Sequence, residues 1–174
     1  MNKVIPVAVL AVIVITAGFY AYTTFGSGTL RIKITDPPKD WGAASAIYIE
    51  YDEVKVHKSQ EGNESGWYTV VESGGWINLK EVLNTTKTLG SGALQAGTYN
   101  LIRFEVTECL VTISGTNYTA TVESGKLNIA ILGGGITIQS GSTSTVIIDI
   151  TPKVVGSPAQ GLKVVPAAKA SLES

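Results

Sequence analysis

TLRIKIT, residues 29–35, alternates apolar and polar side chains along its whole length. Leu30, Ile32 and Ile34 fall on one face, and Thr29, Arg31, Lys33 and Thr35 on the other. That period of two marks a strand buried on one side. Asp36-Pro37-Pro38 closes it, because proline has no N–H to give a ladder.

Working outward, the same period recurs. Residues 46–57 form a longer run in which Ile47, Ile49 and Tyr51 share one parity and Val54 and Val56 the other. A slip of one residue would turn the wrong face inward, so the run predicts a bulge or bend at Asp52-Glu53. A polar loop, SQEGNESG (59–66), leads to a third strand over 67–71, and Ser73-Gly74-Gly75 ends that. WINLKEVLN (76–84) reads as a short helical turn with Leu79, Val82 and Leu83 inward. Gly90-Ser91-Gly92 then leads into a long strand over 99–113, with Ile102, Phe104 and Val106 opposite Leu101, Arg103, Glu105 and Thr107. Gly115-Thr116-Asn117 predicts a hairpin turn into 118–122. Short strands follow over 127–132, 136–139, 144–151 and 162–165, and AAKASLES is expected as a loose tail.

The spacing gives about nine strands at intervals of roughly 8–15 residues, the pattern of an antiparallel β-sandwich, immunoglobulin-like or transthyretin-like. The fold class is therefore all-β, preceded by one N-terminal hydrophobic helix. The divisions are a hydrophobic segment over 1–26, an extracellular domain over 27–166 and a tail over 167–174. Net charge is −1, so no field draws the chain to nucleic acid. Charged residues make up 16%, below the usual ~25%, which leaves a surface built from Thr, Ser, Asn and Gln.

The segment Val4–Phe25 is uncharged and almost wholly apolar, behind Lys3. Three readings stand side by side. As a cleaved secretory signal it has a basic start and a long apolar stretch. As a retained membrane helix it spans about 33 Å against a hydrocarbon core of about 30 Å. Pro6 would sit in its first turn and Tyr20, Tyr22 and Phe25 at its outer interface. As a filament-core helix it is similar to those of archaeal type IV pilins, in length and in its small residues Ala8, Ala11, Ala17 and Gly18. The leader Met1-Asn2-Lys3 departs from the processing site such pilins carry. The partners expected are thus a membrane or copies of the chain itself through Val4–Phe25.

The motifs Gly28-Thr29-Leu30 through Pro38, Val54-Lys55-Val56-His57 followed by Trp67, Leu94-Gln95-Ala96-Gly97-Thr98-Tyr99 with Ile102-Arg103, and Ile148-Asp149-Ile150 form a familiar set. Together, over roughly residues 28–166, they resemble domain-of-unknown-function family 4382, a family of secreted, often lipid-anchored β-domain proteins of archaea and bacteria. The resemblance implies place and fold more than chemistry. Leu94-Gln95 stands where leucine-proline is usual, and no lipobox cysteine is present, so anchoring falls to the apolar helix.

Candidate sites are few. Sequons at Asn63, Asn84 and Asn117, each in or beside a predicted loop, suit glycosylation of an exported chain. His57, the only histidine, lacks a Gly-x-Ser-x-Gly elbow and is expected as a solvated residue at a strand end. Asp36, Asp40, Asp52 and Glu53 are the carboxylates a calcium ion would need, but no D-x-D-x-D-G loop holds them. Cys109, the one cysteine, lies in an apolar strand and reads as a buried inert thiol, with intermolecular pairing as the alternative. Arg103 and Glu105 suit a cross-strand ion pair. Gly133-Gly134-Gly135 precedes a strand and is no phosphate loop. Trp41, Trp67 and Trp76 would either pack or line a sugar-binding surface. No catalytic residue, metal site or cofactor is expected. The function expected is that of a non-enzymatic cell-surface glycoprotein with a structural or adhesive role. Its rivals are a pilus-like filament subunit and an extracellular ligand- or calcium-binding accessory domain.

Overall fold

The computed structural model describes residues 12–21, 26–36, 41–62, 65–122, 125–165 and 167–173. Residues 12–21 are helical, and the domain that follows is a β-sandwich of thirteen strands in two sheets. The smaller sheet has the order β13 (Ala168–Leu172), β10 (Thr143–Ile150), β1 (Ser27–Thr35), β5 (Lys87–Gln95). The larger runs β11 (Lys153–Ser157), β12 (Gly161–Val165), β7 (Thr116–Val122), β6 (Gly97–Ile113), β2 (Ala44–Lys58), β3 (Trp67–Val71). β4 (Gly75–Asn78) also pairs with β2, and β8 (Lys126–Ala130) and β9 (Ile136–Ile138) with β6.

TLRIKIT lies at the heart of the smaller sheet. Leu30, Ile32 and Ile34 are wholly buried beside Val146, Ile148 and Ile150 of β10. They face Ile47, Ile49, Tyr51, Val54 and Val56 of β2 and Ile102 and Phe104 of β6 in one core. Tyr51 meets Phe104 edge to face at 5.5 Å between ring centres, a geometry worth about 0.5–1.5 kcal/mol beyond burial.

The bulge expected at Asp52-Glu53 is present. Tyr51 pairs with Val106 and Val54 with Phe104, so two residues of β2 oppose Glu105 alone. A second bulge lies beside it on β6, where Thr107 is extra between the Glu50–Glu108 and Tyr51–Val106 pairs. The two together crease the larger sheet. On one side of the crease β2 and β6 are flanked by β4 and β7, and on the other by β3, β8 and β9.

Three expectations are corrected. The sheets are mixed, since β1 pairs parallel with β10 and β7 with β12; side-chain periodicity carries no information on strand direction. The hairpin turn is Ser114-Gly115, both at positive φ (51° and 80°), so Asn117 stands on β7 itself. Four strands, β4, β5, β11 and β13, add to the nine expected. β5 carries Gly90-Ser91-Gly92, which looks like a loop. Its glycines serve contact with β3: a Cβ on Gly92 would lie 2.6 Å from the Val70 carbonyl oxygen. β13 occupies the segment expected to be loose, with only the small Ala168 and Ala170 packed against the core. Lys33 of β1 reaches across to Glu173 at 2.6 Å and ties that end down. The helical turn of WINLKEVLN is a 3₁₀ turn, Leu79–Val82, capped by Asn78 and burying Leu79 and Val82.

Candidate functional surface on the larger sheet

Along β2, β4 and β6 the residues between the buried positions point outward, away from the smaller sheet. On the β3–β8 side of the crease this face is fully partnered. Lys55 pairs with Glu53, and with Glu105 at 3.5 Å. Glu53 also accepts from the Thr69 hydroxyl at 3.0 Å. The Lys55 ammonium holds the Glu53 carboxyl below its ordinary range. Arg103 donates through Nε to Asn128 Oδ1 at 2.9 Å and lays its guanidinium 3.8 Å over the Trp67 ring. The ion pair of this face thus joins Glu105 to Lys55, and Arg103 uses an aromatic partner instead.

His57 is buried, not solvated. Gly62 and Gly66 of the following loop lie against it: Lys58 N donates to Gly66 O at 2.8 Å, and His57 Nε2 lies 3.2 Å from the Gly62 carbonyl oxygen. Its ring meets Trp67 edge to face at 5.0 Å. Cys109 is 1% exposed, and burial, with the negative Glu108 next to it, pushes its thiol up to about 11. It therefore stays protonated and unreactive at neutral pH. Asp36 is buried beside Val82 and Leu83, away from Asp52 and Glu53 on the crease, and Asp40 lies outside the described residues. Among the described residues no group of three His, Cys, Asp or Glu could hold a metal ion. Of the sequons, Asn84 and Asn117 are exposed, as are Thr86 and Thr119, and Asn63 lies outside the described residues.

The β4–β7 side of the crease is different. Trp76, Glu50 and Glu108 stand in one row across β4, β2 and β6, and Asn78, Tyr48, Leu110 and Thr119 in the next. Trp76 is 42% exposed, whereas Trp41 is buried in the core. The β6–β7 ladder stops at Leu110–Thr119, and β6 takes up β8 only at Glu105–Lys126. Between these points the strands part around a cleft of about 260 Å³. Thr107, Glu108, Thr119 and Thr121 border it, and Val106 and Val122 lie among its apolar lining. The sequence carries a sign of this place: the buried parity of β6 passes from Phe104 to Cys109, and the slip at Thr107-Glu108 mirrors the one on β2.

A two-sheet β-sandwich with polar side chains spread over one outer face defines a β-rich module, a fold that by itself assigns no activity. The chain belongs to the family described as Domain of unknown function (DUF4382), whose model matches residues 27–162. The resemblance read from the sequence motifs is thereby borne out. Comparison with curated proteins and with solved structures gave no match.

Proposed function

We propose that this is a non-enzymatic cell-surface protein, with a structural or adhesive role, held at the extracellular face of a membrane by its N-terminal helix. One observation carries the reading. Residues 12–21 form a helix whose large apolar side chains are exposed all round, Val12 at 60%, Ile15 at 69% and Phe19 at 70% among them. Leaving such side chains in water forgoes about 1.5–3 kcal/mol each. The hydroxyl of Thr16 turns back onto the Val12 carbonyl at 2.9 Å, which spares its surroundings a polar group. The rest of Val4–Phe25 lies outside the described residues, and among those described no helix is long and apolar enough to cross a membrane. The exposed sequons Asn84 and Asn117 fit a glycoprotein.

The test is extraction of the full chain from membranes at alkaline pH. The chain stays in the pellet until detergent is added, and a variant with Val14→Asp and Ile15→Asp comes free. Release of the unaltered chain as a monomer without detergent overturns the reading. A filament subunit is the second reading, favoured by Ala17 and Gly18 on the same helix, where a Cβ on Gly18 would meet nothing within 4 Å. Electron microscopy of the detergent-free material separates the two.

A further inference from the structure

We propose that the β4–β7 side of the creased sheet is a carbohydrate-binding site, with Trp76 as the stacking platform and the cleft at Glu108 as the polar end. This inference is independent of the tether. Glu50 and Glu108 are directly opposite in an antiparallel pair and both face outward, since their neighbours Ile49 and Cys109 are buried. Like charges so placed are destabilising on their own. The Thr107 hydroxyl donates to Glu50 Oε2 at 2.9 Å, and among the described residues no lysine or arginine makes an ion pair with either carboxylate. The row therefore presents acceptors with capacity to spare.

Trp76 ends this row, two strands and about 10 Å from Glu108. An exposed indole beside two carboxylates and the Asn78 amide suits a ligand that is apolar on one face and rich in hydroxyl donors around its rim. A pyranose has that form: its C–H face stacks on the indole and its hydroxyls donate to Glu50 and Glu108. The cleft continues the match. Thr119 offers a hydroxyl that both donates and accepts, and Thr107 and Thr121, whose hydrogens go to Glu50 and to the Leu162 carbonyl, keep lone pairs to accept, which complements the hydroxyls of a polyol. An apolar peptide would leave Glu50 and Glu108 desolvated without partners, at a cost. A simple organic cation would engage the carboxylates and leave the hydroxyl-lined cleft unused. The spacing from Trp76 to the cleft calls for more than one sugar ring.

The test is titration of the full chain in detergent micelles with tetrasaccharides of glucose, N-acetylglucosamine and mannose, followed by tryptophan fluorescence and calorimetry. Saturable binding to at least one of them is expected, with a blue shift as Trp76 is covered. Trp76→Ala and Glu108→Gln should each weaken it at least tenfold. Because both side chains are exposed, unchanged melting curves establish that the variants are folded. The proposal fails if none of the three sugars binds. It fails equally if binding survives both substitutions, or if spermidine binds at the row while the sugars do not.

Discussion

Deleting a single residue from β2 should have very unequal consequences at two positions three apart. Asp52 and Glu53 together oppose Glu105, so one of them is surplus to the ladder. Removing Asp52 leaves Tyr51 inward, Glu53 outward and Val54 inward, in strict alternation against Val106, Glu105 and Phe104. Every buried partner is kept. Glu53 then faces Glu105 with Lys55, already paired to both, between them. The loss should stay near 1 kcal/mol, as for other surface changes. Removing Lys55 instead leaves no bulge able to absorb the gap. With Val54 held against Phe104, Val56, now wholly buried, turns outward and His57 turns into the core. Exposing one valine and taking the already buried His57 ring away from the Gly62 carbonyl into the apolar core cost together about 3–6 kcal/mol. Domain stabilities are about 5–15 kcal/mol. Urea unfolding of the full chain in mild detergent, read by tryptophan fluorescence, measures both. The reasoning is refuted if the Asp52 deletion lowers the midpoint as far as the Lys55 deletion does.

Other outcomes follow from single features. Phe104→Ala, at a wholly packed site beside Tyr51, should cost about 3–5 kcal/mol by the same unfolding assay, and Phe104→Leu much less. Burial pushes the Tyr99 phenol from 10.0 up to about 12. A raised value means that the folded state holds the proton, so this stability is present below pH 10 and is lost as pH rises through 12. At about 1.4 kcal/mol per unit, the loss is about 3 kcal/mol, and Tyr99→Phe should flatten that part of the alkaline stability profile. Gly92→Ala would set a methyl group against the Val70 carbonyl and should force β5 away from β3, visible as faster amide exchange along β5. Cys109 should resist a thiol reagent at neutral pH until the chain unfolds, at which point labelling becomes complete.

The alternation of TLRIKIT and of β2 placed the core, and the parity slip at Asp52-Glu53 placed a bulge before any coordinates. What stayed hidden has physical causes. β13 packs only Ala168 and Ala170 against the core, so its hydrophobic signal is faint. The glycines of β5 exist for contact with β3, a relation between strands that no local pattern records. His57 looked exposed because its cover is a polar loop folded back on it, held by backbone bonds that any residue types can make. The Trp76 row and its cleft depend on register across β4, β2 and β6, which lies beyond single-strand reading, although the slip at Thr107-Glu108 was there to be seen.

The parallel pairing of β1 with β10 bears on the order of events as the chain matures. Thr29 needs Thr143 beside it, and most of the domain lies between them. The central strand of the smaller sheet is among the first to be synthesised, yet one of its edges stays open until nearly the last strands arrive. Contacts so distant along the chain form slowly, because a long loop must close before they are rewarded. A chain emerging N-terminus first would therefore carry one edge of β1, Thr29–Thr35, unpaired until β10 follows, even after β2, β5 and β6 have covered Leu30, Ile32 and Ile34. The hazard of such an open edge, which is pairing with another chain, ends when residues 143–150 emerge.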